Sequence, residues 1–139
     1  AVGLAAVQTA ETVNAACIVA PTMSGRTVRL VSNLRPRVPI YAVTPSERVM
    51  RQQQIHWGVV PMLGDVQGDM RSVVDNARDA VVSKGLLRPG DVAVFTAGDR
   101  STSPVVSKGP DGTESVAATN VMYVVQIREN DTTRQKGGK

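Results

Sequence analysis

The chain has 139 residues, 42% of them hydrophobic and 20% charged, with a formal net charge of +4 at pH 7. That length supports one core and excludes two full-sized domains, and the balance of apolar and charged residues excludes a disordered chain. A single cysteine excludes an internal disulfide, and no apolar run approaches the roughly 18 residues that span a bilayer, so the reading is a cytoplasmic protein without a membrane partner.

With one Trp, two Tyr and one Phe, the core must be built from Val, Ile, Leu, Ala and Met, which suits a sheet covered on both faces. Taken in chain order, residues 2–14 place Leu4, Val7, Ala10 and Val13 on one side and predict a helix. Cys17–Ala20 reads as a strand in which Cys17 is a buried small hydrophobe rather than a nucleophile. A helix over about 25–34 follows, with Ser24 or Thr22 as its cap, and Arg35-Pro36 ends it because the residue before a proline leaves the helical region.

Residues 39–44, "PIYAVT", form a second strand. Thr44-Pro45-Ser46-Glu47 then has the spacing of a capping box, with Thr44 as the cap, and opens a helix to about Gln54. "GVVPML", 58–63, is a third strand. Val66, Met70, Val73, Val74, Ala77 and Val81 recur at helical spacing, and Lys84-Gly85 closes that helix. "DVAVFTAG", 91–98, is a fourth strand and "NVMYVVQI", 120–127, a fifth.

The expected fold class is therefore α/β, a three-layer α/β/α sandwich whose five-stranded sheet is mostly parallel with the last strand antiparallel. Residues 1–128 form the domain, and the tail 129–139, with no apolar residue, is disordered. The connection 99–119 is rich in Ser, Gly, Pro and Asp, and its length points to a functional loop.

No catalytic residue set or metal site emerges: one His and one Cys stand apart, and there is no Walker loop and no dinucleotide fingerprint. His56, beside Trp57 at a helix-to-strand junction, reads as packed or solvated. Arg26, Arg29, Arg35, Arg37, Arg48 and Arg51 share one segment with a single acid, Glu47, which favours an anionic partner. Nucleic acid is disfavoured because no aromatic residues interleave with these arginines. The one site candidate is Thr22–Thr27, beyond a strand's carboxyl end and at a helix start. Thr22, Ser24 and Thr27 offer hydroxyls, Gly25 lets the backbone approach, and Arg26 adds charge. Spacing alone admits a plain cap equally well.

"PTMSGRTVRLVSNLRPRVPIYAVTPSERVMRQQQIHWGVVPML", with "GLLRPGDVAVFTAG" and "TNVMYVVQI", closely resembles the C-terminal domain of pyruvate kinase, from about Ala5 to Ile127. The resemblance implies the same mixed five-stranded sheet. It also implies a parent enzyme that transfers phosphoryl from phosphoenolpyruvate to ADP in a separate barrel domain, where magnesium and potassium belong. This chain is then inactive alone and holds no cofactor.

In regulated members the domain seats a phosphorylated effector. The Thr-x-Ser-Gly pattern maps onto Thr22, Ser24 and Gly25, and Thr27 onto a further hydroxyl position. Two departures stand out: Met23 brings no donor, and the closing loop, about 98–118, is longer than usual, with Arg100 and Lys108 as its candidate cations. The implied partners are a phosphorylated small molecule, the catalytic domains of pyruvate kinase and further copies in a homo-oligomer. A start at Ala1 inside a helix suggests a fragment. The alternatives are a free-standing sugar-phosphate sensor and a purely structural domain.

Overall fold

The structure, a computed structural model, describes residues 2–66, 68–97, 105–108, 114–117 and 121–128. The elements run α1 (Val2–Thr12), β1 (Cys17–Pro21), α2 (Arg26–Asn33), β2 (Ile40–Thr44), α3 (Glu47–Gln53), β3 (Val59–Leu63), α4 (Met70–Ser83), β4 (Val92–Ala97), β5 (Val105–Lys108), β6 (Glu114–Ala117) and β7 (Val121–Gln126). The main sheet has the order β3-β2-β1-β4-β7, parallel except for β7, which pairs antiparallel with β4. The expected α/β sandwich, with its last strand antiparallel, is what forms.

The layers follow from alternation along apolar strands. Cys17 and Val19 of β1, Tyr41 and Val43 of β2, and Ala93 and Phe95 of β4 pack with α4 on one face. The intervening Ile18, Ala20, Ile40, Ala42 and Val94 pack with α1 and α2 on the other. Strands buried on both faces read as near-continuous apolar runs, as these do. β1 to β2 to β3 steps one way across the sheet, and α4 then carries the chain back to β4 on the far side of β1. The strand order therefore reverses between β1 and β4, the position where open α/β sheets form a crevice beyond their carboxyl ends.

Helix ends show where local chemistry wins. α1 stops at Thr12, two residues short of the expected end, because Asn14 takes φ 55 and the Ala15 amide donates to Ala10 O at 2.9 Å, closing a left-handed C-terminal turn. α4 closes the same way at Gly85, φ 72, with Gly85 N donating to Val82 O and Leu86 N to Val81 O. α2 ends before Pro36 as expected, although Arg35 reaches φ 52 rather than extended backbone.

Three starts differ from the sequence reading. α2 is capped by Gly25, not by Ser24 or Thr22. α3 is capped by Ser46, whose hydroxyl accepts from Val49 N at 3.3 Å, two residues later than the Thr44 capping box. Thr44 is instead the last, wholly buried residue of β2, and its hydroxyl accepts from Ser46 N. α4 begins at Met70 rather than Val66, because the Asp69 carboxylate accepts from Ser72 N at 2.8 Å and fixes the first turn. Val66 is buried in the connection before it. The connection 99–119, read from sequence as a long functional loop, contains β5 and β6, an antiparallel two-stranded sheet in which Lys108 is in register with Glu114. Arg100 and the tail 129–139 lie outside the described residues.

Candidate functional site

Residues 22–27 connect β1 to α2. Backbone pairing continues one residue past β1, with Thr22 N donating to Val43 O at 2.8 Å. The chain then turns tightly: Gly25 N donates to Thr22 Oγ1 at 2.7 Å, and Arg26 N donates to Ser24 Oγ at 3.3 Å. Gly25 sits at φ 84, a left-handed geometry that a side chain resists, and its carbonyl accepts the first helical bond, from Arg29 N at 3.0 Å.

The sequence-derived site residues fall into two groups. Thr22 is buried, 8% exposed, and its hydroxyl holds the turn. Ser24 and Arg26 are exposed, and Thr27 is half-buried. A hydroxyl that accepts a bond keeps its own hydrogen to donate, so Ser24 can still face a ligand while it orders the Arg26 amide. Met23 is 55% exposed at the crest of the turn. Lys108 lies on β5, and its backbone is paired with β6.

The electrostatics of the three capped helix starts differ. α3 carries Glu47 in its first turn and α4 is capped by the Asp69 carboxylate. α2 has no acid in its first turn and a glycine as its N-cap, so no carboxylate offsets the partial positive charge of its start. The register Val19↔Phe95 sets Pro21 level with Ala97, so the turn stands at the β1/β4 reversal.

The arginines divide between the two ends of the sheet. Arg26 belongs to the carboxyl end. Arg35 and Arg37 lie between α2 and β2, at the amino end, where Arg35 covers the Trp57 ring at 5.1 Å. Nothing in the spacing of Arg35 and Trp57 pointed to that contact. The nearby pocket lined by Ala10, Glu11, Asn14, Ala15, Arg37 and Val38 mixes one acid with one base, so it favours neither sign of ligand.

Cys17 is wholly buried, and its thiol is pushed up to about 12 by burial and secondarily by the Asp91 carboxylate. It is a core residue, as its apolar setting suggested. Among the described residues no group of three or more His, Cys, Asp or Glu is placed to hold a metal ion, and no helix is long and apolar enough to cross a membrane.

A residue absent from the sequence reading completes the picture. Gln53, at the end of α3, is 3% exposed, and its Oε1 is buried without a hydrogen-bond partner. Its carboxamide packs directly against Gly25: a Cβ there would collide with Gln53 Nε2 and stand 2.6 Å from Cδ. A lone glutamine at a helix C-terminus carries no sequence signal for such a role.

Helices on both faces of a mostly parallel five-stranded sheet, with an antiparallel last strand, define an open α/β sandwich domain. Comparison with known proteins makes this specific. The family described as "Pyruvate kinase, alpha/beta domain" matches residues 1–125, and the chain belongs to that family. It is 40% identical to the pyruvate kinase of Geobacillus stearothermophilus over 98 residues, which is 70% of this chain and 17% of that protein. Against the pyruvate kinase of Clostridium acetobutylicum the figures are 37% over 89 residues, 64% of this chain and 19% of that protein. The Staphylococcus aureus (strain USA300) pyruvate kinase is 40% identical over 98 residues. The chain thus spans less than a fifth of the length of the curated relatives it matches.

Proposed function

We propose that this domain is the allosteric, effector-binding part of a cytoplasmic pyruvate kinase and that it seats a phosphorylated small molecule on the 22–27 turn. The observation that carries the reading is the start of α2. It has no acid in its first turn and a glycine as N-cap, it stands at the strand-order reversal, and Ser24 and Arg26 are exposed beside it. A phosphate there accepts from first-turn amides and from the Ser24 hydroxyl, and the Arg26 guanidinium neutralises part of its charge.

The domain itself performs no phosphoryl transfer. Transfer from phosphoenolpyruvate to ADP, with magnesium and potassium, belongs to the catalytic barrel of the parent enzyme. The effector acts by favouring one interdomain arrangement over another, and it shifts that equilibrium only by its difference in affinity for the two. Self-association is part of the same reading: among the described residues β7 is an outer strand of the main sheet, and Tyr123 and Val124 expose apolar surface that a second copy can cover.

Isothermal titration of the chain with fructose 1,6-bisphosphate, glucose 6-phosphate, ribose 5-phosphate and AMP tests the reading. Saturable binding that Ser24→Ala weakens by about three- to tenfold, the worth of one charge-assisted hydrogen bond, is expected. A folded chain that gives no heat at millimolar ligand contradicts a seat contained in this chain and leaves two readings, a purely structural domain or a site completed only by the rest of the enzyme.

A further inference from the structure

We infer that Gln53 is a positioning residue of the anion seat, acting on the ligand through Gly25. The inference rests on the anion reading of the 22–27 turn. Three observations on two separate elements converge. Gln53 is 3% exposed, so its side chain is fixed by its surroundings. Its carboxamide fills the space where a Cβ of Gly25 would stand. Its Oε1 is buried and has no hydrogen-bond partner.

The last point separates bulk from polarity. A buried carbonyl without a donor costs stability, and an apolar side chain of the same bulk would avoid that cost. The seat therefore draws on the volume of Gln53 and not on its oxygen.

The geometry supplies the purpose. Gly25 is the N-cap of α2, held at φ 84. Its amide is fixed from one side by Thr22 Oγ1 at 2.7 Å. Gln53 closes the other side from α3, so the glycine corner is clamped between two elements. That corner sets the direction of the first-turn N–H groups, and a hydrogen-bonding seat loses affinity when its donors are misaimed. The bulk of the carboxamide, wedged under the corner, keeps them aimed.

The test is titration of the chain with inorganic phosphate, by calorimetry and by the amide resonances of residues 24–28, for wild type, Gln53→Ala, Gln53→Asn and Gln53→Met. Gln53→Asn keeps the amide but withdraws it by one methylene, and it serves if Gln53→Ala does not fold. Circular dichroism melts establish that each variant is folded. The expected result is phosphate binding by wild type, about three- to tenfold weaker binding by Ala and Asn with a displaced Gly25 resonance, and near-complete recovery in Met, which restores the bulk. Folded Ala or Asn variants that bind as wild type overturn the role of Gln53 and leave the seat standing. Loss in Met equal to that in Ala overturns the wedge. Absence of any phosphate response in wild type overturns the anion reading itself, and this inference with it.

Discussion

Gly25 and Gln53 show how a residue can be legible in identity and illegible in role. A glycine in a turn before a helix is expected to allow close approach, and it does. What the sequence does not display is that the approaching group is a side chain from the next helix, because that contact exists only once α2 and α3 lie side by side. Gly25→Ala combines an unfavourable left-handed φ with that collision, so a loss of about 1–3 kcal/mol or more is expected in denaturant melts. The loss shrinks when Gln53→Ala is added, since trimming the wedge removes the collision.

Cys17 gives a second prediction. Its thiol is pushed up to about 12 in the folded chain, against about 8.5 for an unfolded cysteine. The folded state therefore holds the proton more tightly. The stability this contributes is complete below about pH 8.5 and is lost as pH rises toward about 12. Thiol labelling at pH 8 is expected to stay silent until denaturant is added, and Cys17→Ala flattens the alkaline decline. Rapid labelling of the native chain would contradict its burial.

The elements themselves were readable from period and composition, whereas their starts were not. Capping depends on which of several neighbouring hydroxyls reaches an amide, and Thr44 and Ser46 both suit a cap by type. The choice falls to Ser46 because Thr44 is already committed to the buried end of β2. Ser46→Ala is expected to cost about 1 kcal/mol in thermal or chemical denaturation, while a capping box centred on Thr44 would assign that loss to Thr44 alone.

The start of α4 is tied to pH. Hydrogen bonds from Ser72 hold the Asp69 carboxyl below its usual range. Its contribution is thus present above the unfolded carboxylate value of about 3.9 and fades as pH falls through the lowered one. Asp69→Ala is expected to narrow the stability difference between pH 7 and pH 3, measured by melts at both. The β5–β6 sheet escaped the sequence reading because its strands are only four residues each and lie among Ser, Gly, Pro and Asp, where turn signals mask alternation.

For the whole molecule, the sheet and its two faces follow from aliphatic strands separated by helices, and family membership was legible in long contiguous motifs. Strand order was not, because it is set by which way each crossover steps. That order places the 22–27 turn at the β1/β4 reversal and separates Arg26 from Arg35 and Arg37, which in sequence look like one basic cluster. Phe95, wholly buried in β4 against α4, is the largest side chain sealing that arrangement. Phe95→Ala is expected to cost about 3–5 kcal/mol, enough to take a marginal domain close to unfolding.

The most direct measurement of the central claim is a map of backbone amide shifts in the isotope-labelled chain as fructose 1,6-bisphosphate is added. Saturable shifts are expected at Ser24–Val28, where α2 begins, and at Gln53, which packs against Gly25, with little change at Leu34–Val38 and Trp57–Gly58 at the opposite end. Shifts centred on Arg35, Arg37 and Trp57, or none at millimolar ligand in a folded chain, would contradict it.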